Sequence, residues 1–270
     1  MNKNQLWKID GFNVEYFDAI DSTNAECRRR LEKLKDFEPL NKTVLVAAMQ
    51  TAGRGRLNRK FYSPAKTGLY FSLIYTDGNF SFPASVTASA AVAVCKAIKD
   101  VYNLDCSIKW VNDVFCNGKK ICGILTEGLI SQAQGKIGAV IIGIGINLLW
   151  NSEIPEDLHT FAGSLLQDNL KDNSFEEKKI VLFKKIVLYL CNILDNFEKE
   201  QKSVFEEYKN RSNLIGRRIE ISPIIGNSEN NYFCTVEDIS SNANLVVRTD
   251  DGILKELNSG EVTLHSSLFQ

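Results

Sequence analysis

Apolar residues are distributed in two textures along this chain, and the change falls near residue 211. Upstream, long apolar runs alternate with helical stretches. NKTVLVAAMQ (41–50) is apolar at almost every central position and predicts a buried strand that feeds a basic loop. GLYFSLIYT (68–76), rich in aromatic and β-branched residues, predicts a second strand. KIGAVIIGIGINLLW (136–150) predicts a strand buried on both faces. DSTNAECRRRLEKLKDF (21–37) reads as a helix beginning near Thr23, with Thr23 and Glu26 at capping-box spacing. The stretch 82–102 opens a helix at Pro83 and is alanine-rich, and residues 175–210 are strongly helical. In CSIKWVNDVFCNGKKICGILTEGLI (106–130), Asn117-Gly118 lies between two strand-like runs, which predicts a hairpin.

From Leu214 the texture becomes short strands between turns: RRIEISPI, YFCTVEDI, LVVRTDD, GILKEL and GEVTLHS. Their spacing predicts a small β-barrel of about 55 residues. The expected fold is α/β of the α+β type. A mixed, largely antiparallel sheet with flanking helices occupies residues 1–211, and a small all-β domain occupies 212–270.

Composition narrows the function more than the fold. The 270 residues are 44% hydrophobic and 24% charged, enough for a sizeable core. Lys plus Arg number 32 against 33 Asp plus Glu, a balance that argues against a nucleic-acid partner. No apolar run suits a signal peptide or a membrane span, so the expected setting is cytoplasmic and free of membrane. Seven cysteines with no C-x-x-C pair argue against zinc and for reduced thiols. The two histidines, His159 and His265, sit near no candidate nucleophile, which argues against serine or cysteine hydrolase chemistry.

The chemistry gathers elsewhere. QTAGRGRLNRKFYSP (50–64) packs Arg54, Arg56, Arg59 and Lys60 around two glycines, has too few apolar residues to build a core, and suits a phosphate or other small anion, a nucleic-acid backbone, or nothing but water. Gly53-Arg54-Gly55 and Gly143-Ile144-Gly145 begin dinucleotide fingerprints, but Asn58 and Leu148 replace the third glycine, and no phosphate-binding P-loop is present. A two-residue turn at Asn117-Gly118 sets Phe115 opposite Lys120 and Asp113 opposite Cys122. Lys109, Val111, Asp113 and Lys120 then share a face, which reads either as an anion and metal-phosphate site or as a solvated surface. Gly143, Gly145 and Asn147 share another face with little bulk, either because a helix approaches closely or because a flat ligand lies there. Ser22-Thr23-Asn24 reads as a helix cap or as a set of polar ligand contacts at the positive end of a helix.

Five motifs occur in order: Ser22-Thr23-Asn24, Gln50-x-Ala-Gly-Arg-Gly-Arg56, Lys109-Trp-x-Asn-Asp113, Gly118-x-Lys120-x-x-Gly123-Ile-Leu-x-Glu127, and Gly143-x-Gly145-Ile-Asn147. The series resembles the biotin protein ligases (biotin–acetyl-CoA-carboxylase ligases) and spans the first domain. Val111 stands where the family usually has proline, and Asn58 and Phe61 replace the usual glycine and tryptophan.

The resemblance implies a fold similar to the class II synthetase-like biotin/lipoate ligases, with an SH3-like barrel at the C-terminus. It implies an ATP-dependent, AMP-forming enzyme that makes biotinyl-5′-AMP and transfers biotin to a lysine of a biotin carboxyl carrier domain. Lys120, Arg56 and Lys109 would be catalytic. Ser22, Thr23, Asn24, Gln50, Arg54, Gly55, Arg56, Lys120 and Gly123 would contact biotin. Arg54, Arg56, Lys109, Trp110, Asn112, Asp113, Lys120 and Asn147 would contact ATP, and Asp113 would hold Mg2+. Because the basic loop has few apolar neighbours, it is expected to order around ligand. About twenty residues ahead of Thr23 are too few for a helix-turn-helix, so a monofunctional form without DNA binding is expected. Lipoate or octanoate ligation and non-catalytic biotin binding are the alternatives. The oligomeric state and the identity of the acceptor are not legible in the sequence.

Overall fold

In a computed structural model of the chain, the described residues are 3–78, 83–131, 135–149, 162–166, 174–222, 231–258 and 261–263. His159 and His265 lie outside them. Seven strands build the main sheet: β1 (Asn13–Phe17), β2 (Thr43–Ala47), β3 (Gly68–Tyr75), β4 (Ser107–Lys109), β5 (Asp113–Cys116), β6 (Lys119–Ile130) and β7 (Ile137–Asn147). Their order is β1-β2-β3-β7-β6-β5-β4, and every pair is antiparallel except β1 with β2. The sheet is therefore mixed and largely antiparallel, as the sequence predicts. Among the described residues five α-helices accompany it: α1 (Lys3–Leu6), α2 (Thr23–Leu31), α3 (Pro83–Tyr102), α4 (Phe175–Asp195) and α5 (Phe197–Asn210).

Apolar residues fill both faces of the sheet. On one face Val44, Val46, Val140, Ile142, Ile144 and Ile146 join α3 and α4 in the larger core. On the other, Leu45, Ala139 and Ile141 meet Cys27 and Leu31 of α2. Burying each such aliphatic side chain stabilises the fold by about 1.5–3 kcal/mol. Along β7, the apolar side chains on the α2 face stop at Ile141, and the next positions are Gly143, Gly145 and Asn147. Packing gives way there to an open cavity.

A second, five-stranded antiparallel sheet contains β8 (Arg218–Ser222), β9 (Tyr232–Ile239), β10 (Leu245–Thr249), β11 (Leu254–Leu257) and β12 (Glu261–Thr263), in the order β11-β10-β9-β8-β12. Its apolar face, with Ile219, Cys234, Val236 and Val247, is continuous with the larger core. Chain 211–213 also bonds to the main sheet, where Ile108 N–H donates to Arg211 O at 2.7 Å.

Three local expectations need correction. Helix α2 ends at Leu31, not near residue 37, and its cap is Ser22, whose hydroxyl accepts from Ala25 N–H. The Asn117-Gly118 turn forms with φ of 49° and 75°, the geometry of a two-residue hairpin. A bulge then inserts Ile121, so Phe115 does face Lys120 but Asp113 faces Gly123 and Val114 faces Cys122. Val111 is not on the site face: it is buried in the core, and its carbonyl accepts from the Tyr208 hydroxyl at 3.0 Å.

Candidate functional site

The basic loop is a small ladder of its own. Gln50 N–H donates to Ser63 O at 3.0 Å, Phe61 N–H to Gly53 O at 2.9 Å, and Gly55 N–H to Arg59 O at 2.7 Å. Gly53 is required by this closure, because a Cβ there would overlap the Phe61 carbonyl oxygen. The loop also has an apolar anchor that its sequence conceals. Phe61 lies over the glycine floor, where a Cβ on Gly145 would overlap its ring and one on Gly123 would stand 3.0 Å from it. The ring meets Tyr70 edge-on at 6.4 Å between centroids.

At the start of α2, Thr23 N–H donates to Gln50 Oε1 at 2.9 Å, and Gln50 Nε2 donates to Ser63 Oγ at 3.0 Å. Asn24 Nδ2 donates to Glu127 Oε2 at 2.8 Å and to Leu125 O at 3.2 Å. A Cβ on Gly143 would overlap Asn24 Oδ1, so the bare backbone of β7 is what seats this amide. Both readings of the glycine face thus hold in part. A helix end covers Gly143, and an aromatic ring from the loop covers Gly145.

Cations converge from the loop and the hairpin. Arg54 Nη2 is 3.6 Å from Glu127 Oε1, and Arg56 Nη1 donates to Asn112 Oδ1 at 3.2 Å. Asn112 is fixed in turn by donating to Ile124 O at 3.0 Å. Lys120 Nζ is 2.8 Å from Asp113 Oδ1, an ion pair 25% and 19% exposed. That buried oxygen still lacks a hydrogen bond of good geometry.

These groups surround one cavity of about 270 Å³. Ser22, Thr23, Asn24, Gln50, Arg54, Gly55 and Arg56 line it, as do Lys109, Trp110, Asn112, Asp113, Lys120, Gly123 and Asn147. Every residue that the resemblance assigns to biotin or ATP therefore meets in the same place, whereas Val111 and Glu127 do not line it. Two of them also have structural duties: Trp110 Nε1 donates to Ala243 O at 2.8 Å, and Asn147 Nδ2 donates to Gly163 O at 3.1 Å. The lining also includes Phe61, Ile124, Leu125 and, from the small sheet, Val262, none of which the motifs marked as ligand contacts. Strand parity with Gly123 signals Leu125, while Ile124, whose side chain turns to the larger core, and Val262 have no such signal.

The chemistry is polar at the α2 end, flat and apolar along the floor, and cationic at the hairpin end. Comparison with known proteins agrees. The profile of the family described as "Biotin/lipoate A/B protein ligase family" matches residues 16–147. Over 94% of this chain and 98% of the other, the fold superposes on that of biotin protein ligase from Aquifex aeolicus in complex with biotin and ATP, with a TM-score of 0.71 and 29% identity. Residues 16–147 belong to the biotin/lipoate A/B protein ligase family. Among family relatives, the bifunctional ligase/repressor BirA of Bacillus spizizenii is 37% identical over 162 residues, 59% of this chain and 48% of that protein. The chain thus matches about half the length of that relative. BirA of Escherichia coli is 27% identical over 98% of this chain and 78% of its own length.

Proposed function

We propose that the protein is a biotin protein ligase. It condenses biotin with ATP to biotinyl-5′-AMP and passes the biotinyl group to a lysine of a biotin carboxyl carrier domain. The observation that carries this reading is the single cavity with a donor- and acceptor-rich end, a glycine and aromatic floor, and a cationic mouth. Biotin has a ureido ring, an apolar bicycle and a carboxylate in that order, and the Aquifex relative binds biotin and ATP together.

A carboxylate oxygen attacks the α-phosphorus and pyrophosphate departs. Two anions must approach, so catalysis depends on positive groups fixed in advance. In this reading Lys120, Arg56 and Lys109 hold the carboxylate and phosphate oxygens, and Arg54 joins them through its planar fork. The lysine amine then attacks the activated carbonyl, and AMP leaves with the bonding pair. Ser22, Thr23, Asn24, Gln50, Gly55 and Gly123 hold biotin, while Trp110, Asn112, Asp113 and Asn147 line the nucleotide side.

Magnesium fits as a partner of the nucleotide. Mg2+ is bound through one or two carboxylates plus substrate phosphates. Asp113 offers one part-buried carboxylate at the cavity, shared with Lys120, and among the described residues no group of three His, Cys, Asp or Glu forms a separate cage. When bound, the ion would offset phosphate charge. We also assign residues 1–211 as the catalytic domain and 212–270 as a small domain that closes the cavity through Val262. Among the described residues, no helix is long and apolar enough to cross a membrane.

Biotin-dependent exchange of pyrophosphate into ATP, run beside lipoate and octanoate, tests the reading. Exchange with biotin alone is expected. Exchange with lipoate or octanoate and none with biotin overturns it, as does biotin binding without exchange.

A further inference from the structure

Beneath the α2 end of the cavity lies Ser72 of β3, fully buried. It does not line the cavity, yet its Oγ is 2.6 Å from Thr23 Oγ1 and 2.6 Å from Asn24 Oδ1. One hydroxyl carries one proton, so it can serve only one of these oxygens as donor. The neighbours decide which. Asn24 Nδ2 faces two acceptors, Leu125 O and Glu127 Oε2, which fixes the amide with its oxygen toward Ser72. An amide oxygen brings no proton, so the short contact requires the Ser72 proton. The Thr23–Ser72 contact is equally short and is closed by the proton of Thr23. Gln50 Oε1 stands farther from Thr23 Oγ1, at 3.2 Å, and already accepts from Thr23 N–H.

We propose that Ser72 is a positioning residue that sets the hydrogen-bond polarity of the cavity's α2 end. The chain of protons runs Thr23 to Ser72 to Asn24, leaving Thr23 Oγ1 only lone pairs to offer a ligand. That end therefore takes a ring N–H donor and refuses a carboxylate, which has none. For biotin, the ureido ring is directed to Thr23 and the carboxylate to Lys120. The inference rests on the biotin reading above and adds a residue outside the cavity wall.

The test compares wild type and Ser72→Ala in biotinyl-AMP formation, with biotin and with analogues methylated on either ureido nitrogen. The wild type is expected to discriminate against at least one analogue. In Ser72→Ala the KM for biotin is expected to rise about tenfold and that discrimination to shrink, with the KM for ATP within about twofold of wild type. An unchanged biotin KM overturns the proposal. So does a joint rise of both KM values with discrimination intact, the mark of general loosening. If Ser72→Ala does not fold, Ser72→Cys, a weak donor of similar shape, is measured for the same split and the same two overturning results. A wild type that forms no adenylate from biotin defeats the functional reading and this inference with it. An active wild type matched by its variant defeats the role of Ser72 alone.

Discussion

Lys120 reaches across the β5–β6 hairpin to Asp113, Nζ to Oδ1 at 2.8 Å, and both side chains face the cavity. The pair leaves the ammonium already held where an attacking carboxylate and an α-phosphate would meet. Lys120→Ala is expected to slow adenylate formation by roughly 10²–10³, the scale for losing one preorganised donor. The fold should survive, with the loss of stability that comes from leaving Asp113 without its partner. Exchange kinetics beside thermal unfolding check both parts.

Glu127 ties three positive or polar groups together. It accepts from Asn24 at 2.8 Å and from Arg28 at 3.0 Å, with Arg54 at 3.6 Å, while only 13% of its side chain is exposed. Glu127→Gln keeps the shape but removes the charge and turns one acceptor into a donor. A loss of about 1–3 kcal/mol in stability is expected, with weaker biotin binding. Urea unfolding and biotin titration measure the two effects.

The two floor glycines should respond differently to alanine. At Gly143 the new methyl meets Asn24 Oδ1, whose amide is held by Ser72, Glu127 and Leu125. At Gly145 it meets the Phe61 ring, the end of a side chain that can turn aside. Gly143→Ala should therefore cost more biotin affinity, and adding Phe61→Ala should rescue Gly145→Ala but not Gly143→Ala. Biotin dissociation constants for the four variants decide it.

Much of this arrangement was readable in advance because the elements that carry it are long and regular. The buried strands β2, β3 and β7 show in unbroken apolar runs, and the hairpin shows in Asn117-Gly118. What stayed hidden depends on contacts distant in sequence. Strand β1, NVEYF, is a half-buried edge strand whose pattern is weak until it pairs with β2. The bulge at Ile121 has no glycine to mark it, yet it decides that Gly123 rather than Cys122 stands opposite Asp113. Ser72 is a small polar residue within an apolar strand, and its meaning comes only from Thr23 and Asn24 nearly fifty residues earlier.

The cysteines offer a simple check on the core. All seven are free and buried, and burial pushes the Cys116 thiol up to about 11. A thiol reagent at pH 8 should label the native protein hardly at all and modify every cysteine after denaturation. Rapid labelling of native protein would place at least one thiol in solvent.

Acid should weaken the start of α2. Hydrogen bonding from Arg29 holds the Asp21 carboxyl at about 2, below its ordinary value of 3.8. A lowered carboxyl stabilises the fold above its unfolded value and loses that contribution as pH falls through its folded one. The stability advantage of wild type over Asp21→Asn should be constant above pH 5 and vanish as pH falls from about 4 to about 2. Denaturant titrations at stepped pH provide the comparison, and a constant difference across that window would remove Asp21 from the acid response.

Trp110 gives the molecule an optical consequence. Its indole forms part of the cavity wall while its N–H is committed to Ala243 of the small sheet. One of only three tryptophans in the chain is therefore a native fluorophore at a junction. Ligand arriving on one side and separation of the small sheet on the other both alter its surroundings, the second by exposing the indole to water and shifting its emission to the red. With Trp7 and Trp150 replaced by phenylalanine, occupancy and interdomain closure can be followed through a single unlabelled ring.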